Sequence, residues 1–347
     1  MKERDHETFY RIGRIPERDP VCVVDETGTA VAVCREATRP DLLASAIGRL
    51  APSVERVVLE TGGQSSWLQR SLRGLGVPTV IVDARQAKAA LSCRLNKTDA
   101  NDAEGLAQLA RTGWYREVRA KRPEAALGRS VLLARQQLVK QRRDMENQVR
   151  ALLRGFGLAV GAVSRGRFEE RVWELVRCQP QLENAIGPLL MVRRCVDDHI
   201  QELEGRIRSV VGGSAVCSRL MTVPGVGPIT ALAFVTAIDD PYRFARSASV
   251  GAYLGLTPRR HQSGEVDWAG RISKRGDALA RCMLYEAANV LLTRVRKWSA
   301  PKAWAAKLAR KAGAKKARVA LARKLATILH SMWVNGTEFQ WTREATA

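Results

Sequence analysis

The sequence predicts a three-part chain: an α/β domain over residues 1–120, a helical coiled-coil segment over 121–213, and a mostly α-helical domain over 214–347. Three observations predict it. Short β-rich runs alternate with helical stretches through about residue 111, apolar residues then recur at heptad spacing, and the last third is mostly helical sequence broken by Gly and Pro.

The elements follow in order. The runs "FYRIGRI", "VCVVDET" and "TAVAVCRE" predict three strands in a meander, with the turn residues around Gly28 joining the last two. A helix from about Pro40 to Leu50, the strand "VERVVLE" ending at Glu60, a helix near Ser65 to Leu75 and the strand "PTVIVDA" come next. Thr98 is then the N-cap of a helix from Asp99 to about Arg111. From about Ala126 the pattern turns to long helices. Val131, Leu138, Met145 and Leu152 recur every seven residues, and Val196, Ile200, Leu203, Ile207 and Val210 alternate four and three apart. A smaller helix near Phe168 to Arg177 separates them, so the pair forms either an antiparallel arm, which could dimerise, or two helices packed on the body. The third region starts at Cys217, passes through "TVPGVGPITALAFV" and "YLGLTPRRHQSGEVDWAGRISKRGD", and ends in a basic helical run, "KLARKAGAKKARVALARK".

Composition narrows the function. An apolar fraction of 46% over 347 residues fills real cores. The seven cysteines form no C-x-x-C pair, and the four histidines have no partner at metal-ligand spacing, which points to a reduced cytoplasmic protein without structural zinc. No signal-like segment and no run of 18 apolar residues is present, so neither export nor a membrane is expected. Charge is unevenly placed. Residues 1–120 hold 18 Lys and Arg against 16 Asp and Glu, leaving 39 against 19 for the rest. From Ala287 to Thr337 there are twelve basic residues and no acid. A short basic run is usually a solvated helix face, but one of this length makes a single-sign field suited to nucleic acid.

Against that background the acids of "NKTDANDAEG" stand out. On the first turn of a helix, Asp99 and Asp102 share a face and repel each other unless a cation lies between them. Mg²⁺ suits such oxygen ligands and suits phosphodiester chemistry. The bland alternative is complementing the helix dipole. Glu60, at the end of a buried-looking strand in the same α/β order, favours the metal reading, because this is how a nuclease of the ribonuclease H type is assembled. Farther on, "VPGVGP" suggests a helix-hairpin-helix turn in which Gly225 and Gly227 free backbone N–H groups to hold a phosphate, although P-G-x-G is also a common loop. Ser263, read from its neighbours alone, is a turn serine. Arg259, Arg260, Arg271, Lys274 and Arg275 bracket it and could neutralise a phosphate, and Lys315 and Lys316 lie in the basic run.

Together "VVLETGGQSSWL", "KTDANDAEGLAQL", "LMTVPGVGPITAL" and "YLGLTPRRHQSGEVDWAGRISKRGD" resemble the insertion sequence 110 family of transposases, from about Val21 to Trp341. The resemblance implies a RuvC-like DEDD domain followed by a serine-bearing transposase domain. It implies Glu60, Asp99 and Asp102 as Mg²⁺ ligands, Ser263 as the residue that attacks DNA, and a composite centre formed by the two. It further implies donor and target DNA as partners, a structured guide RNA, and a homo-oligomer, dimer or tetramer. One departure is visible: the family's first Asp falls, counted back from Asp25, on Gly13. The competing expectations are a Mg²⁺-dependent RuvC-like nuclease without a covalent intermediate, and an inactive nucleic-acid-binding remnant.

Overall fold

A computed structural model describes residues 6–10, 18–92, 98–264 and 266–341. The chain divides into two compact units, Met1–Lys121 and Arg122–Ala347.

In the first unit, β1 (His6–Tyr10), β2 (Arg18–Asp25) and β3 (Ala30–Ala37) form an antiparallel meander, with Tyr10 opposite Val21 and Val21 opposite Cys34. Helix α1 (Pro40–Leu50) leads to β4 (Val57–Glu60), and α2 (Ser65–Gly74) carries the chain back to β5 (Thr79–Val82), which pairs with β4 in parallel. Strand β1 lies beside β4, which gives the spatial order β3, β2, β1, β4, β5. Two further helices, α3 (Ala84–Leu91) and α4 (Asp99–Thr112), close the unit.

Alternation along the strands sorts the core into two layers. Val21, Val57, Leu59 and Ile81 pack against Leu43 and Ile47 of α1 and Leu68 and Leu72 of α2. Cys22, Val24, Val58 and Val82 face the other way, against Ala87 of α3 and Ala103, Leu106, Ala107 and Ala110 of α4. A strand covered on both faces needs no polar side, which is why β4 reads as an unbroken apolar run before Glu60. Each such side chain contributes about 1.5–3 kcal/mol through burial.

The second unit opens with α5 (Pro123–Gly155), α6 (Phe168–Val176) and α7 (Pro180–Gly212). Helices α5 and α7 run antiparallel. Arg135 meets Glu204 at 2.6 Å, Arg142 meets Asp197 at 2.7 Å and Glu146 meets Arg193 at 2.9 Å, each step forward on α5 matched by an equal step back on α7. This polar middle separates two apolar ends. Val149, Leu153, Phe168, Val172, Ile186 and Leu190 form a core of their own at the α6 end, whereas Leu132, Ile207 and Val211 join the main core.

That main core is built on α8 (Ala215–Leu220), α9 (Pro228–Ile238), α10 (Ser249–Tyr253), α11 (Ala278–Thr293), α12 (Ala300–Ala312) and α13 (Ala314–Asn335). A two-stranded hairpin, β6 (Pro258–Ser263) and β7 (Val266–Ile272), stands between α10 and α11.

Three sequence expectations change. The first strand, expected over "FYRIGRI", is His6–Tyr10 where described, and residues 11–17, Gly13 among them, lie outside the described residues. The heptad seam holds only in part: Ile200 and Ile207 of α7 are buried as expected, but Leu132, Val149 and Leu153 are the fully buried residues of α5, and on α7 Val211 is buried where Val210 is 53% exposed. The physical reason is that charged pairs share the central contacts with Ile200. Finally, the turn around Ser263 is the tip of a β-hairpin within otherwise helical sequence.

Candidate functional site

Glu60 ends β4 on the face of Val58, the side on which α4 packs. Helix α4 begins where the sequence says it should, because the Thr98 hydroxyl accepts the Asn101 N–H at 3.1 Å and so caps the first turn. Its far end is anchored by Gln108, whose amide donates to the Gly28 carbonyl at 2.6 Å, and by Arg56, which donates to the Ala110 carbonyl at 3.1 Å. Gly105 permits the close approach to α3: a Cβ there would meet Leu91 Cδ2 at 2.3 Å.

These anchors fix the direction of α4. Arg56 precedes β4 and touches the C-terminal end of the helix, so the two elements run in opposite senses. From Arg56 to Glu60 the strand advances about 13 Å, and from Ala110 back to Asp102 the helix covers about 12 Å. Glu60 thus ends β4 on the side that α4 covers, and Asp102 lies on the first turn of α4. Asp99 is one turn from Asp102, largely exposed, and 3.7 Å from the Arg35 guanidinium. The donor chemistry suits a hard divalent cation. Among the described residues, however, no three acidic, His or Cys side chains are drawn into a ligand cluster.

Asp19 is the nearest described acid after Gly13 in sequence, and its geometry disqualifies it as a replacement. It lies on the face of Val21, opposite that of Glu60, fully buried, with Oδ2 accepting from the Thr38 hydroxyl at 2.7 Å and Oδ1 without a partner. Burial raises its pKa above the ordinary 3.8, against the lowering effect of the Thr38 hydrogen bond.

In the second unit, Ser263 pairs with Val266 across the turn at Gly264, whose φ of +55° suits a tight hairpin, and every residue of β6 is exposed. His261 stacks on its cross-strand partner Trp268, ring centres 5.8 Å apart. Arg260 does not stand free, because Asp267 holds it with two hydrogen bonds of 2.9 and 2.5 Å. The pairing lowers the Asp267 pKa and raises that of Arg260. The hairpin base is tied down: Ser273 N–H donates to the Thr257 carbonyl at 2.8 Å and Lys274 N–H to the Gly255 carbonyl at 3.1 Å.

Beside the hairpin runs a groove of about 1300 Å³. Arg271 and Lys274 line it from the hairpin side, and Lys315, Lys316, Arg323 and Lys324 line it from α13, where two adjacent pairs seven to eight residues apart, with Val319 and Ala320 between them, share one face. Trp268 and Trp304 also line it, and the Lys324 ammonium lies 4.6 Å from the Trp304 ring centre. Four of the predicted nucleic-acid contacts thus share one wall-to-wall site, while Arg259, Arg260 and Arg275 stay outside it. Sequence reading missed Trp268, Trp304, Arg323 and Lys324. The two tryptophans sit far apart in the chain, and only the folded second unit places both on the lining of one groove.

The predicted helix, turn, helix order is present, with residues 221–227 joining α8 to α9. Gly225 has a packing role here: at φ +91°, a Cβ would meet the Ala287 carbonyl of α11 at 2.5 Å. Gly227 is the extended residue immediately before α9. A buried pair also escaped the sequence reading. Asp277 caps α11 by accepting from Ala280 N–H at 3.0 Å, and its other oxygen binds Arg129 of α5.

Comparison with known proteins assigns the class. Residues 18–157 match the DEDD transposase profile of IS110 elements, running past the unit border into α5, and residues 217–305 match the transposase IS116/IS110/IS902 family. The protein is a transposase. It is 31% identical over 317 residues to the transposase for insertion sequence element IS1111A of Coxiella burnetii, spanning 90% of this chain and 85% of that one. A "Probable family 20 transposase" of Pseudomonas aeruginosa is 31% identical over 309 residues, 86% of this chain and 89% of its own. The transposase for IS1328 of Yersinia enterocolitica is 26% identical over 292 residues, 82% and 85% of the two chains. The chain belongs to the insertion sequence 110 family of transposases. Among the described residues, no helix is long and apolar enough to cross a membrane.

Proposed function

We propose that this transposase cuts and rejoins DNA at the ends of its insertion sequence through Ser263, guided by a structured RNA and working as a dimer or tetramer. The observation that carries the reading is the position of Ser263 at the tip of an exposed hairpin beside a strongly basic groove. In the proposed step, Ser263 Oγ attacks phosphorus as its proton is removed, the Oγ–P bond forms, the P–O bond to the sugar breaks, and the sugar oxygen leaves with a proton. Arg259, Arg271, Lys274 and Arg275 neutralise the phosphate charge that develops. The ester conserves the phosphodiester bond energy, so rejoining needs no external source.

The first unit is read as RuvC-like, a reading supported by its strand order and by Glu60 at the end of β4. Glu60, Asp99 and Asp102 would hold Mg²⁺, which supplies Lewis-acid stabilisation of phosphate oxygens. The +20 net charge of residues 121–347 and the glycines at 225 and 227 support nucleic-acid backbone contacts. Arg259 donates weakly to the Ser273 carbonyl at 3.5 Å and is available to a phosphate in place of it.

The test uses full-length protein, labelled element-end DNA, Mg²⁺ and RNA transcribed from the element's flanks. After denaturation, label should migrate with wild-type protein and map to a peptide containing Ser263. Ser263→Ala should bind DNA as wild type does and give neither adduct nor strand exchange. Strand exchange by that variant at the wild-type rate would assign the chemistry to the carboxylates alone.

A further inference from the structure

The groove beside the Ser263 hairpin has two characters that one ligand must satisfy together. Its rim is cationic, and no Asp or Glu is among its lining residues. Its floor is apolar, with Leu256, Ile272, Val319 and Ile328, and two indoles open onto it, Trp268 at 55% exposure and Trp304 at 41%. Duplex DNA would satisfy the cations and leave the indoles wet, because its base faces are stacked inside. An unpaired strand offers phosphates and π-faces at once. The size agrees, since about 1300 Å³ exceeds the roughly 300–1,000 Å³ of ordinary small-molecule pockets.

The indole positions are built in. Trp268 lies across Gly270, where a Cβ would meet its Cζ3 at 2.8 Å, so only glycine lets the ring lie there. His261 stacks on the same ring. Trp268 follows Val266, the partner of Ser263, by two residues on the same hairpin face, about 7 Å farther along the strand. A base stacked on Trp268 would therefore sit within a nucleotide or two of a phosphate held at Ser263.

We propose that this groove binds a short unpaired segment of the DNA strand that Ser263 attacks, with successive bases stacked on Trp268 and Trp304 and the backbone held by Lys315, Lys316 and Arg323. Its placement next to the attacked phosphate rests on the serine reading given above; the stacking itself does not.

The experiment measures binding of full-length protein to a fluorescent ten-nucleotide DNA single strand, the matching duplex and the same sequence in RNA, over a range of salt. The DNA single strand should bind more tightly than the duplex or the RNA. Trp304→Ala and Trp268→Ala should each weaken it by about five- to a hundredfold with the salt slope unchanged, and Trp304→Phe should restore most of the loss. Lys315→Gln with Lys316→Gln should instead lower the single-strand salt slope by about 1.4. Unchanged single-strand affinity in both alanine variants, an equal loss of duplex binding, or tighter binding of RNA would each overturn the proposal. Ser263→Ala should show the wild-type pattern in this assay, so a failure of the covalent mechanism and a failure of stacking are read separately.

Discussion

Asp277→Ala should destabilise the second unit markedly, although Asp277 holds neither phosphate nor metal. Two losses combine. The side chain, 7% exposed, caps α11 through Ala280 N–H, and losing such a cap costs about 1 kcal/mol. Its second oxygen binds Arg129, and breaking a well-buried pair costs about 3–5 kcal/mol. Arg129 is 28% exposed and can turn toward water, so this part falls to about 1–2 kcal/mol and the total to about 2–3 kcal/mol. Asp277→Asn retains a capping oxygen and loses only the charge, so it should cost about 1 kcal/mol less than alanine. Arg129→Met combined with Asp277→Asn should cost less than the two changes added, because neither partner is left behind. Urea denaturation followed by tryptophan fluorescence and by circular dichroism reads wild type, Asp277→Ala, Asp277→Asn, Arg129→Met and the double variant, with coincidence of the two probes checked first. A loss below about 0.5 kcal/mol in Asp277→Ala, or equal losses in the alanine and asparagine variants, would refute the assignment of cap and ion pair.

Asp99→Asn with Asp102→Asn should abolish metal-dependent strand cleavage and leave the melting temperature within a few degrees, because Asp99 is exposed and Asp102 only half buried; a collapse in melting temperature with cleavage retained would make them helix-dipole residues. Asp19→Asn should raise stability at neutral pH. The native state holds the Asp19 proton more tightly than the unfolded chain does, so the contribution of Asp19 to stability is greatest in acid and falls as pH rises from 3.8 through the raised native pKa. The gain from asparagine should therefore vanish in acid, and a gain that is the same at every pH would remove burial of the charge as its cause.

Much of the first unit is legible in sequence because its signals are local. Pro40 at the first turn starts α1, and the Thr98 cap starts α4 at Asp99, both at the residues expected. The end of β4 at Glu60 follows from a covered apolar run meeting a charge. The helical arm is less legible, since hydropathy ignores the Arg135–Glu204 and Arg142–Asp197 pairs that make its central contacts. The β6–β7 hairpin is less legible still. All six residues of β6 are exposed, so no buried face imposes a period of two. The acids of the candidate metal site were found by spacing, whereas the groove needed tertiary structure, because Trp268 and Trp304 belong to different elements and share no periodic pattern.

The matched ion pairs between α5 and α7 also limit how this arm can change in length. Four residues removed from α5 alone, ahead of Arg135, would set each arginine one turn away from its acid and bring Glu146 opposite Asp197, leaving unpaired charge along the seam. The same number removed from both helices, between one rung of pairs and the next, would bring the remaining rungs back into step. The arm can thus be shortened or extended only in paired segments, as a ladder is, and its tip core would travel with it intact.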